Sequence, residues 1–250
     1  MKGRVKEYLN RHPHPNPPPS RGRELDETIN NQKSRGDSQV KICEIFTSIQ
    51  GESSFAGFPC TFVRLTGCNL RCSYCDTVYA YEEGYELSEE EVIRKVRNAG
   101  LNLVEITGGE PLLQEEVYHV IQMLIEEGRT VLIETNGSLS IKGIDRRAVI
   151  ILDIKTPGSG MSDRMDFSNL DEIGKHDEVK FVITNRDDYE WTKNTIHTFE
   201  LSQKCKLLIA PAFGFIRPED LARWMIGDKL PARLNLQLHR YIFGSEQRGV

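Results

Sequence analysis

The sequence predicts an α/β fold, a shortened and partly open parallel (β/α) barrel, on three observations. From residue 40 onward short apolar runs alternate with helix-length segments, the signature of parallel strands joined by crossover helices. That region holds about 210 residues, fewer than the roughly 250 of a complete eightfold barrel. Polar and reactive residues recur where successive apolar runs end, as they do at the C-terminal mouth of such barrels. An open doubly wound sheet is the rival architecture.

The main strands are expected at 61–65, 103–107, 130–134, 149–154, 178–183, 206–210 and 233–238, with an additional strand at 40–46 before them. The first helix begins after Ser88, whose hydroxyl can cap the amides of EEEVIRKVRNA while Glu91 reaches back in a capping box, and Gly100 ends it. A second helix over 112–127 closes at Gly128. A third, over 187–201, starts from an Asx-rich turn, and a fourth, over 218–226, opens with Pro218, which a first turn tolerates. The stretch 155–175 has no decisive pattern.

Composition separates two materials. The 250 residues carry a formal charge of -5, which gives no general attraction to nucleic acid or an anionic membrane. Residues 1–38, by contrast, hold 8 Lys and Arg against 5 acids and five of the eleven prolines, with almost no periodic hydrophobes. Such a segment cannot bury enough surface to offset its ordering entropy, so a disordered Pro-rich basic tail is expected there and a catalytic domain over 39–250. No continuous apolar segment resembles a secretory signal or approaches a membrane span, and the expected location is cytoplasmic.

Cys68, Cys72 and Cys75, in GCNLRCSYCDT, carry the chemistry. Thiolate is the usual protein ligand of iron-sulfur clusters, and three ligands leave a fourth iron open for something else to bind. Structural zinc sites close their coordination with a fourth Cys or His, and no second CxxC follows here. Disulfides are disfavoured because a chain of this length buries a core without them. Cys43, Cys60 and Cys205 sit in apolar runs and read as small hydrophobes. Downstream, TGGEP places Gly108 and Gly109 after a strand, where residues without side chains let backbone groups approach a ligand closely.

Together the three-cysteine loop and the GGEP segment resemble the radical S-adenosylmethionine superfamily, over roughly residues 40–250. The resemblance implies a [4Fe-4S] cluster on Cys68, Cys72 and Cys75, with its open iron chelated by S-adenosyl-L-methionine. One electron, from a donor such as flavodoxin or ferredoxin, then releases a 5′-deoxyadenosyl radical. It also implies that Gly108, Gly109 and Glu110 bind the cofactor's methionine amino group and that Tyr74 packs on its adenine. Asn136, Lys155 and Ser159 become ribose or carboxylate contacts.

A narrower resemblance is to the 7-carboxy-7-deazaguanine synthases. SIQGE, the FVRL strand, CDT after the third cysteine, DIKTPGSG and a late QLH fall in that family's order. The family converts 6-carboxy-5,6,7,8-tetrahydropterin into 7-carboxy-7-deazaguanine by ring contraction with loss of ammonia, on the route to queuosine. By this resemblance Ile49, Gln50, Gly51 and Glu52 line the pterin edge, Arg64 and His239 lie nearby, Thr107 is at the substrate and Thr77 binds Mg2+. A homodimer is implied as well. The residue types suit these roles: a flat heterocycle needs amide and carboxylate partners, a carboxylate suits a guanidinium fork, and hard Mg2+ prefers oxygen. Plainer readings stand beside them, a strand-end salt bridge for Arg64 and a cap or Asx turn for Thr77. Two other functions stay open, an activase that installs a glycyl radical on a partner protein and a non-catalytic iron-sulfur or zinc-binding module.

Overall fold

A computed structural model describes residues 38–244 and 248–249. The expectation of a disordered tail, Ser38 aside, lies outside the described residues. Among them a nine-stranded sheet runs in the order β3-β1-β2-β4-β5-β6-β7-β8-β9. β1 (Gln39–Ile49) is antiparallel to β2 (Pro59–Leu65) and, at its other edge, to β3 (Tyr85–Ser88). From β2 the sheet is parallel through β4 (Leu103–Gly108), β5 (Thr130–Thr135), β6 (Val149–Ile154), β7 (Glu178–Ile183), β8 (Lys206–Pro211) and β9 (Arg233–Leu234). β3 and β9 end the sheet without pairing to each other, so the barrel is open, as expected.

The helices are α1 (Glu89–Ala99), α2 (Glu116–Glu126), α3 (Arg186–Thr198), α4 (Leu201–Lys204), α5 (Pro218–Gly227) and α6 (Leu238–Phe243). At α1 the expected capping box is present: the Ser88 hydroxyl accepts from Glu91 N at 3.2 Å and the Glu91 carboxylate accepts from Ser88 N at 3.0 Å. Gly100 ends the helix at φ 75°.

Elsewhere the boundaries move for identifiable reasons. The helix expected from 112 begins only at Glu116, because the Glu110 carboxylate accepts from Leu112 N at 3.0 Å and turns 111–113 into a tight 3-10 turn. The helix expected over 187–201 is split by Glu200, which takes a left-handed conformation at φ 53°. β9 is two residues rather than six. Beyond it Asn235 N bonds Ile209 O at 2.8 Å, and the chain leaves the sheet to form α6, so His239 sits on a helix and not at a strand end. The patternless stretch 155–175 contains three 3-10 turns, and the short edge strand β3 has no apolar run to announce it.

Strand side chains alternate between two layers. Val63, Leu65, Ile106, Ile133, Leu152, Phe181 and Ile209 face the helices and join the main core. The concave face is different. Near the strands' N-terminal ends a small apolar plug forms from Cys60, Phe62, Leu103, Leu132 and Ile151. Above it, on the same face by parity, stand Arg64, Glu105, Thr107, Glu134, Asp153 and Lys180.

Glu105 is 3% exposed and accepts a hydrogen bond from Gln50 Nε2. Burial, reinforced by the Glu134 and Glu52 charges, pushes its carboxyl up to about 8. The folded chain therefore binds this proton more tightly than the unfolded chain. The associated stability is full below the ordinary carboxylate value and is lost as pH rises through the raised one. Glu105→Gln keeps an acceptor for Gln50 and removes that loss. Thermal melts of the two proteins are expected to diverge in the variant's favour between pH 4.5 and about 8; parallel curves would contradict a protonated Glu105.

Candidate active site

The concave face opens at the strands' C-terminal ends into a cavity of about 510 Å3. Cys68, Cys72 and Cys75 line it from the loop after β2, beside Tyr74, Asp76 and Thr77. Gly108 and Gly109 enter from β4, Asn136 from β5, Asp153 and Lys155 from β6, and Lys180 from β7. Glu52, Arg64, Thr107 and His239 complete the wall. Thirteen of the eighteen residues expected in a site thus share this one cavity.

The other five take supporting positions. Gln50 is 3% exposed; its Nε2 donates to Glu105 and its backbone pairs with Phe58 and Gly57, so it braces the loop that delivers Glu52. Ile49 ends β1. Gly51 leaves room for the His239 ring, and its carbonyl accepts from Leu238 N at 2.8 Å. Glu110 is fully buried, accepting from Thr135 Oγ1 at 2.8 Å, Leu112 N at 3.0 Å and Asn136 N at 2.7 Å; it ties the glycine turn to the end of β5. The Ser159 hydroxyl is 1% exposed and donates to Thr156 O at 2.6 Å, which turns it away from a ligand contact.

Lys180 organises the cavity floor. Its Nζ lies 3.1 Å from Glu52 and 3.3 Å from Asp153 and also bonds Glu134. Burial opposes its charge, yet the Glu134, Glu52 and Asp153 carboxylates hold the ammonium well above its usual value. Asp153 pairs with Lys155 at 2.9 Å as well; burial opposes its charge too, but the two ammoniums lower its carboxyl. Glu52 further accepts from Gln237 Nε2 at 3.0 Å. Thr107 Oγ1 stands 3.4 Å from Glu134. His239 is lowered, by burial first, so its ring is neutral near pH 7.

Glu105, Glu134, Asp153 and Lys180 were not assigned as site residues from sequence. Their signal in the sequence is a charged side chain within an otherwise apolar strand, on the parity of Thr107. From sequence Asp76 reads either as a group acting through water or as a residue that shapes the loop. It is held by Arg240 at 2.6 Å and Gln237 at 3.2 Å, which bind α6 to the cysteine loop. Desolvation by the surrounding protein opposes its charge, but the Thr77, Arg240 and Gln237 hydrogen bonds bring its carboxyl to about 2.

The donors fit a cluster. All three cysteines are free thiols on one loop; burial raises Cys68 and takes Cys72 up to about 11. Leu70 N donates to Cys68 Sγ at 3.4 Å and Asn136 Nδ2 lies 3.9 Å from it, the kind of amide support that tunes ligated sulfur. Among the described residues no three His, Cys, Asp or Glu gather on a single ion. Thiolates that each take a different iron do not need to converge, whereas a tetrahedral zinc site does. The Tyr74 hydroxyl is buried without a partner among the described residues, and Lys155 Nζ lies 5.9 Å from its ring centroid.

An open parallel barrel with three thiols and a glycine pair at its mouth defines a radical S-adenosylmethionine protein, and residues 62–154 match the Radical SAM superfamily. A crystal structure of QueE from Escherichia coli shares the fold, with a TM-score of 0.67 over 80% of this chain and 95% of that one at 22% identity. Sequence similarity narrows the class. The chain is 43% identical to the 7-carboxy-7-deazaguanine synthase of Chlorobaculum tepidum over 86% of its own length and 99% of the relative's. It is 42% identical to that of Koribacter versatilis, over 84% and 100%. The chain belongs to the 7-carboxy-7-deazaguanine synthase family.

Two substitutions test this geometry. Lys180→Met leaves the buried Asp153 and the half-buried Glu52 and Glu134 carboxylates facing one another. Removing one partner of a buried ion pair costs about 3–5 kcal/mol, so a lower denaturation midpoint is expected together with loss of substrate binding. Wild-type stability would mean that the ammonium organises nothing. In Gly109→Ala the added carbon would run into the Gly67 carbonyl oxygen and Cys68 Cβ. Displacement of the cysteine loop follows, and iron bound after anaerobic reconstitution is expected to fall several-fold while the far-ultraviolet circular dichroism stays wild-type.

Proposed function

We propose that this chain converts 6-carboxy-5,6,7,8-tetrahydropterin into 7-carboxy-7-deazaguanine with loss of ammonia, a radical lyase reaction of queuosine biosynthesis. One observation carries the reading: a single cavity joins the cysteine loop and glycine pair to Glu52, Arg64, Thr107 and His239. Its volume of about 510 Å3 suits a small heterocycle, which favours a metabolite over the protein backbone that an activase must admit. Residues 39–250 form the catalytic unit.

Cys68, Cys72 and Cys75 would hold the [4Fe-4S] cluster, with Gly108, Gly109, Asn136, Lys155 and Tyr74 around S-adenosyl-L-methionine. When bound, this pair supplies a 5′-deoxyadenosyl radical able to take hydrogen from carbon 6 of the pterin. The chain's own residues bind and orient. Arg64 Nε is fixed by Glu44 at 2.8 Å, leaving the outer edge of the guanidinium to meet the substrate carboxylate. Glu52, Glu134 and Asp153 present acceptors to the N-H groups of the ring, and neutral His239 accepts or donates one hydrogen bond without adding charge. Thr77 offers a hydroxyl to Mg2+, which would hold the carboxylate during contraction. Cytoplasmic location, homodimerisation and a flavodoxin-like or ferredoxin-like donor belong to the same proposal; among the described residues no helix is long and apolar enough to cross a membrane.

The test is an anaerobic assay of reconstituted protein with dithionite, S-adenosyl-L-methionine, Mg2+ and the pterin, with products followed by mass. 7-Carboxy-7-deazaguanine is expected. Formation of 5′-deoxyadenosine with the pterin untouched would overturn the substrate; neither product from cluster-loaded protein would overturn the activity. Thr77→Ala should lose the response to added Mg2+ while still cleaving S-adenosyl-L-methionine, and full activity with unchanged magnesium dependence would remove Thr77 from the metal.

A further inference from the structure

Part of what orders the cysteine loop lies outside it. Asp188, in the first turn of α3, is 1% exposed and is not among the residues lining the cavity. Its Oδ2 accepts from Thr184 N at 3.0 Å and Thr184 Oγ1 at 2.6 Å, and its Oδ1 accepts from Gly158 N at 2.8 Å. The Asn185 side chain accepts from Asp188 N at 2.9 Å, fixing the backbone that carries this carboxylate.

The contact continues through Gly158. Its carbonyl accepts from Ser73 Oγ at 2.8 Å, and the next carbonyl, that of Ser159, accepts from Ser73 N at 3.0 Å. Ser73 stands between Cys72 and Cys75, whose turn is closed by Cys75 N donating to Cys72 O at 3.2 Å. The intermediate loop is itself stiff: Thr156 Oγ1 bonds Val182 O at 2.9 Å, and Ser159 Oγ donates to Thr156 O while accepting from Met161 N at 3.0 Å. Gly158 has no room for a side chain, since a Cβ would overlap Thr184 Oγ1 and the Asp188 carboxylate. Three donors converge on Asp188 from two directions. A carboxylate accepts all three, whereas an amide must turn its NH2 against one of them.

We propose that Asp188 is a positioning residue for the cluster: through Gly158 and Ser73 it fixes where Cys72 and Cys75 stand, making the start of α3 and the cysteine loop one rigid unit. The link to catalysis rests on the reading of these cysteines as cluster ligands. The ordering of the loop does not.

Amide hydrogen exchange on iron-free protein tests the ordering directly. Asp188→Asn is expected to speed exchange of the amides of residues 72–75 about tenfold, the effect of losing one charge-assisted hydrogen bond. Ser73→Ala alters only an exposed side chain, and keeps the proposal testable if Asp188→Asn does not fold. It should speed exchange in the same window, and the double variant should be no faster than the faster single one. Acceleration confined to residues 156–160 and 184–188, or effects of the two substitutions that multiply, would overturn the relay. In reconstituted protein the reduced cluster of either variant should show shifted electron paramagnetic resonance g values and faster iron loss to a chelator. An unchanged spectrum with only a lower melting temperature would reduce Asp188 to a structural residue. Iron and sulfide analysis of the wild type judges the cluster reading separately.

Discussion

The Lys180 ammonium is the constraint on which the cavity depends. It is 8% exposed at its side chain and meets carboxylates from three separate segments: Glu52 after β1, Glu134 on β5 and Asp153 on β6. In a low-dielectric interior those carboxylates would repel one another, and each would be costly to bury alone. Around the ammonium they become a floor of fixed acceptors. Lys155 balances one charge, and Asp153 Oδ1 still lacks a partner among the described residues. The surplus is what a ring edge rich in N-H groups requires. Glu52 also holds Gln237, so the same ion group reaches the C-terminal helix that closes one side of the mouth.

The glycine pair shows how one sequence feature can serve two ends. Read from sequence, Gly108 and Gly109 leave space for a ligand. In the structure the space is already contested by protein: a Cβ on Gly108 would overlap the Leu65 backbone, and one on Gly109 the Gly67 carbonyl. Gly108 adopts φ 151° and Glu110 N donates to Gly67 O at 2.7 Å, so the β4 turn and the start of the cysteine loop lie against each other. The motifs that look independent along the chain are one packed unit. Neither would be placed without the other.

This explains which parts of the protein were legible in the sequence. Strand positions were, because apolar runs buried between two layers are continuous, and so was α1, because its cap is local chemistry. The cysteine loop, the glycine pair, Asn136 and Lys155 stand where strands end, which a parallel barrel gathers at one mouth, while the roles of Arg64, Thr107, Asn136 and Lys155 are what the family resemblance implies. What failed were features decided by distant partners. The two-residue β9 and α6 depend on Asn235 and Gln237 reaching Glu52. Glu105 and Lys180 lie within strands, where charge is read as surface unless the parity of its neighbours is followed. The resemblance gives Ser159 and Glu110 to the ligand, yet the Ser159 hydroxyl bonds backbone groups and the Glu110 carboxylate is satisfied by two backbone amides and the Thr135 hydroxyl.

The plain and the functional readings of individual residues are therefore not rivals. Arg64 does form the strand-end salt bridge that its position suggests, with Glu44, which also accepts from Tyr79 at 2.9 Å and lies 3.6 Å from Arg248. Only Nε is used. A guanidinium pinned by one nitrogen loses rotamer freedom before a ligand arrives, so its remaining edge can bind a carboxylate at a smaller entropic cost. Thr77 likewise donates to Asp76 at 2.9 Å, and Asp76 is anchored by Arg240. A hydroxyl whose proton is given to a carboxylate presents its lone pairs outward, the orientation a hard cation needs. In both cases the structural bond leaves the side chain oriented for the partner proposed for it above.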